Sequence, residues 1–95
     1  MAMKRFLYEF EQDAPNRISF EYSPNADEKL EATSENGTAT LYLNRPAMLT
    51  LARTLIKMAD GDYREGFHVH LHRDFNADLP DCLTVVLSPD DAPSQ

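Results

Sequence analysis

The stretch LEATSENGTATLYL, residues 30–43, sets the frame for the rest of the chain. At its centre, Asn36-Gly37 is the favoured pair for a two-residue type I′ hairpin turn, because both central positions need positive φ. A turn there fixes the register: Glu35 faces Thr38, Ala32 faces Leu41 and Leu30 faces Leu43. Leu30, Ala32, Leu41 and Leu43 then share one face, while Glu31, Tyr42, Thr33 and Thr40 share the other. Turn chemistry and apolar pattern agree on a single hairpin.

Upstream, Phe6, Tyr8 and Phe10 alternate with Leu7 and Glu9, and Ile18, Phe20 and Tyr22 alternate with Ser19, Glu21 and Ser23. Period-2 alternation of aromatic and β-branched residues predicts two further strands. They are separated by the turn-rich DAPN at 13–16 and followed by SPNAD at 23–27. Downstream, Asn44 is placed to cap a helix, with Pro46 in its first turn and Gly61 as its stop. Thr50, Arg53, Thr54 and Lys57 form a polar stripe that is expected to face water. Met48, Leu51, Ala52, Leu55, Ile56 and Ala59 are expected to face the core. Residues 67–72 and 83–88 alternate again as strands, joined by a long loop, RDFNADLPDC, at 73–82.

The expected architecture is therefore α+β, with element order β-β-β-β-α-β-β. A mostly antiparallel sheet of five to six strands would carry one helix on one face. Residues 1–88 form the domain and 89–95 a polar, proline-containing tail. Ninety-five residues suit one domain with one core.

Sixteen acidic residues oppose nine basic ones, a net charge of −7 that phosphate backbones would repel. A basic protein partner suits that surface. No apolar run reaches the roughly 20 residues of a membrane span, and MAMKRFLYEF lacks the long apolar core of a signal peptide. The lone cysteine, Cys82, precludes an internal disulfide and fits a reducing cytoplasm.

GFHVHLH, residues 66–72, holds all three histidines. On a strand His68, His70 and His72 share one face, with Phe67, Val69 and Leu71 on the other. Neighbouring members lie roughly 6.5–7 Å apart and the outer two roughly 13 Å. So His68 and His70 could converge on one ion, with Asp74, Asp78, Asp81 or Cys82 as a third ligand, but nothing in the spacing demands it. The simplest reading is a wet sheet face, and the next a partner-contact surface formed by His68, His70 and His72 with Asp74, Asp78 and Asp81 of the acidic loop. Cys82 lacks the glycine-rich nucleophile turn of a catalytic site, and three glycines cannot build a phosphate-cradling loop. The paired carboxylates, such as Asp60 with Asp62, fall in loops and the tail, where solvated charge is expected. No catalytic residue and no cofactor is assigned.

LYLNRPAMLTLARTLIKMADG, then GFHVHLH, then DLPDCLTVVL, resembles the Immunity protein 32 family of bacterial polymorphic toxin systems. The likeness spans residues 41–88, with His68 and His70 in the places of the family's two histidines. It implies a non-enzymatic protein that binds and neutralises a cognate toxin. Two other readings stand beside it: a metal-binding protein or small metal-dependent enzyme using His68 and His70, and a homodimer formed through the histidine face.

Overall fold

A computed structural model describes residues 2–22, 27–72 and 81–88. Most of the turn expected at 23–27, most of the loop at 73–82 and the tail at 89–95 lie outside these residues.

The hairpin forms as its sequence requires. Strand β1 (Leu30–Glu35) pairs antiparallel with β2 (Thr38–Leu43), with Leu30 opposite Leu43, Ala32 opposite Leu41 and Glu35 opposite Thr38. Asn36 and Gly37 both take positive φ, at 52° and 79°. Burial fades along the shared apolar face: Leu30 is fully enclosed, whereas Leu41, nearer the turn, is exposed.

Helix α1 (Arg45–Asp60) follows directly. The Asn44 side chain accepts the Ala47 N–H at 3.0 Å, and Pro46 in the first turn sacrifices no helical hydrogen bond. The same Asn44 carboxamide accepts the Lys29 N–H and donates to the Asp27 carbonyl, tying the helix start to the approach to β1. At the far end, Gly61 caps with φ −84°, a conformation open to any residue. It is glycine for want of space, since a Cβ there would lie 2.5 Å from the Lys57 carbonyl oxygen and 2.7 Å from both the Gln12 side chain and the Tyr63 ring.

A second hairpin closes the described chain. Strand β3 (His68–His72) pairs antiparallel with β4 (Asp81–Val86), and the register shifts between Leu71 and His72. Pairing continues beyond the regular strands, since the Gly66 N–H reaches the Leu87 carbonyl and the Leu87 N–H the Phe67 carbonyl. Leu30, Ala47, Met58, Val69 and Leu71 form one core shared by both hairpins and the helix, with Ile18, Phe20, Leu43, Leu51 and Leu83 among the half-buried residues around it.

The five- to six-stranded sheet is not what the chain builds. Among the described residues there are two separate two-stranded antiparallel sheets and one helix. Residues 2–22 contain the expected aromatic alternation, yet none of them belongs to a ladder. In the second of the two expected strands, the carbonyls are bound elsewhere. Arg17 O accepts from the Tyr63 hydroxyl at 3.0 Å, Ser19 O from Lys57 Nζ at 3.0 Å, and Glu21 O from Arg53 Nη1 at 3.2 Å. Alternate carbonyls that a neighbouring strand would have bound are taken by side chains from the helix and the segment after it. Alternation decides which way side chains point; it does not guarantee a backbone partner.

The helix is also turned from the expected orientation, although Leu51 still packs against the core and Ala52 and Ile56 stay half-buried. Thr50, Thr54 and Lys57, expected to face water, are buried, whereas Met48, Leu49 and Leu55 are 54%, 42% and 43% exposed. Among the described residues no helix is long and apolar enough to cross a membrane.

Candidate functional site

The imidazole face grows out of the alternation in β3. Val69 and Leu71 point into the core, so His68 and His70 point away from it and stand exposed. Opposite them in the register are Val86 and Thr84, and residues directly opposite share a face. The outer surface of this hairpin is therefore His68, His70, Thr84 and Val86, all exposed, with Val86 at 53%.

The two rings lie against each other, edge to face. Their centroids lie 5.0 Å apart at an interplanar angle of 86°. His68 Nδ1 is 3.2 Å from the Gly66 carbonyl, which only accepts, so His68 carries its proton on Nδ1 in this contact. His70 Nδ1 is 3.2 Å from Thr84 Oγ1, a hydroxyl that serves either role. His72 departs from the row: it is half-buried, lies past the register shift, and its backbone pairs with Asp81.

Of the residues expected to form the contact surface, the structure brings His68 and His70 together and places Asp81 in β4 opposite His72. Asp74 and Asp78 lie outside the described residues. Among the described residues, no group of three or more histidine, cysteine, aspartate or glutamate side chains is gathered where a metal ion would sit. The metal reading thus has two neighbouring imidazoles and no described third ligand.

A second polar constellation lies beneath α1. Lys57 Nζ is 3.4 Å from Asp13 Oδ2 and 3.5 Å from Glu21 Oε1, with its side chain only 5% exposed. Asp13 also accepts the Ser19 N–H at 2.9 Å. That backbone hydrogen bond, helped by the Lys57 charge against the cost of desolvation, holds the Asp13 carboxyl below its ordinary range. One turn and more away, Thr50 donates to the buried Glu28 carboxylate at 2.7 Å, and Thr54 donates back to the Thr50 carbonyl. Glu21 also accepts from the Tyr8 hydroxyl, which joins the N-terminal segment to the same network. Among the described residues, no buried side-chain nitrogen or oxygen lacks a hydrogen-bond partner.

An open cleft of about 520 Å³ lies against this network. Its lining includes four carboxylates, Glu9, Glu11, Asp13 and Glu21, against the one ammonium of Lys57. None of these acids was singled out from the sequence. The polar stripe on the helix carried the only local sign of the network, and its partners lie 22 to 44 residues away along the chain.

Comparison with family models, with curated proteins and with solved structures returns no match for this chain. The likeness to the Immunity protein 32 family therefore rests on the residue pattern alone.

Proposed function

We propose that the protein is a non-enzymatic binding module that docks a basic protein, in an immunity-type role against a cognate toxin. The observation that carries this reading is the open outer face of the β3–β4 hairpin. His68 and His70 stand there edge to face, exposed, beside Thr84 and Val86. Such a face offers hydrogen-bonding rings and apolar contact together, the mixture that interface centres favour. The net charge of −7 and the carboxylate-lined cleft support a basic partner, whose approach complementary potential would speed.

The test is capture from the native host with the full chain as bait, together with protection against the product of any neighbouring toxin gene. The expected result is a basic protein retained at low salt, released as ionic strength rises, and lost on the double substitution His68→Ala/His70→Ala. A wild-type bait that retains no basic protein contradicts the reading. So does a double variant that binds and protects as well as the wild type.

A further inference from the structure

We propose that α1 pairs with α1 of a second copy of this chain, antiparallel, through the apolar face it turns to solvent. The helix presents Met48, Ala52, Leu55 and Ala59 along one line, at successive steps of four, three and four residues. That spacing is a heptad seam, the pattern by which two helices interlock. Met48, Leu55 and Ala59 are exposed and Ala52 is half-buried, while the polar side that would ordinarily face water is committed to Asp13, Glu21 and Glu28.

The occupant is read from the pairing this seam makes with itself. In a two-fold antiparallel arrangement, Met48 meets Ala59 of the other copy and Ala52 meets Leu55. Each layer then joins a large side chain to a small one, which lets the two backbones approach closely. The same register brings Arg45, at the start of the helix, opposite Asp62, just past its end. Both are exposed, they carry opposite charge, and symmetry makes the pair twice. Leu49 and Ile56 flank the seam and widen it. A helix of 16 residues is about 24 Å long, so the interface is smaller than a standard one and the association is expected to be weak. The pairing is independent of the histidine face and stands or falls separately from the binding role.

Sedimentation equilibrium of the full chain tests it, from about 1 µM to about 1 mM at an ionic strength of about 0.15 M, where repulsion between the acidic copies is screened. The wild type is expected to pass from monomer to dimer across that range. Leu55→Glu sets a carboxylate against the partner's Ala52 and is expected to leave a folded monomer, because position 55 is 43% exposed in the single chain and lets the carboxylate reach water. Arg45→Glu alone and Asp62→Arg alone each replace two attractions by two repulsions, and each is expected to weaken the dimer roughly tenfold. Arg45→Glu suits a helix N-terminus, so it should not disturb the fold. Both reversals together in one chain restore the opposite charges and are expected to return the association to near wild type. Substituting His68 and His70 by alanine should leave it unchanged. A wild type that stays monomeric throughout overturns the proposal, as does a dimer indifferent to Leu55→Glu or a double reversal that fails to recover.

Discussion

Lys57→Met removes one charge from the centre of the network beneath α1 while keeping most of the aliphatic stem. The lysine ammonium has three partners: the Asp13 and Glu21 carboxylates at 3.4 and 3.5 Å and the Ser19 carbonyl at 3.0 Å. At such separations the Coulomb attraction of each ion pair is appreciable, though solvent at the exposed carboxylates screens part of it. Desolvation offsets most of it. What matters for a single substitution is that two carboxylates remain side by side without their cation, a situation that costs about 3–5 kcal/mol when both are fully buried. Here Asp13 and Glu21 keep 20% and 43% of their side-chain exposure, so water compensates in part. A loss of about 2–4 kcal/mol is expected. For a domain of this size that lowers the thermal midpoint by at least about 10 °C. Urea unfolding followed by circular dichroism gives the same quantity at 25 °C. Asp13→Asn should cost clearly less in the Lys57→Met background than in the wild type. The reasoning fails if Lys57→Met stays within about 0.5 kcal/mol of wild type, the range of ordinary surface substitutions, or if the two substitutions are additive.

Asn44→Ala removes the N-cap and two bonds to residues 27 and 29, and should destabilise by about 2 kcal/mol in the same urea assay. Gly61→Ala would stabilise if only backbone entropy counted, because φ is −84°. The Cβ approach to the Lys57 carbonyl reverses the sign, and a loss of about 1–3 kcal/mol is expected from thermal melts. Because the folded Asp13 carboxyl lies below its ordinary range, its contribution is fully present above the unfolded pKa of about 3.9 and is lost as pH falls through the lower folded value. Stability measured from pH 7 downward should therefore separate wild type from Asp13→Asn at neutral pH, with the two converging below about pH 4; parallel curves would exclude this role.

The first hairpin and the helix ends were legible because their signals are local, whereas the last strand runs over Asp81–Val86, two residues earlier than the 83–88 expected, which takes Asp81 and Cys82 out of the loop. Asn36-Gly37 dictates the turn, and the register follows from it residue by residue. Asn44 and Pro46 mark the helix start, and alternation separates His68 and His70 from Val69 and Leu71. The helix orientation was not legible. Apolar residues lie over much of α1, so the stripe of Thr50, Arg53, Thr54 and Lys57 read as its wet side. Its burial depends on Asp13, Glu21 and Glu28, contributed from far along the chain, and on the Ser19 and Glu21 carbonyls that accept from Lys57 and Arg53. The same long-range bonds occupy the carbonyls of Arg17, Ser19 and Glu21, and the alternation at 18–22 did not become sheet. Of the histidine site, the shared face was readable, whereas the step that sets His72 apart arises from the register shift at Leu71/His72.

Thiol accessibility on α1 tests the central claim, a helix with its polar side inward, most directly. In a Cys82→Ser background, Thr54→Cys and Leu55→Cys place single thiols on adjacent residues of opposite burial, 1% and 43% exposed. At about 1 µM, below the range of association, a soluble maleimide should modify the thiol at 55 rapidly and the thiol at 54 at least about 100-fold more slowly, limited by local opening. Rapid labelling at 54 with protection at 55 would contradict the account.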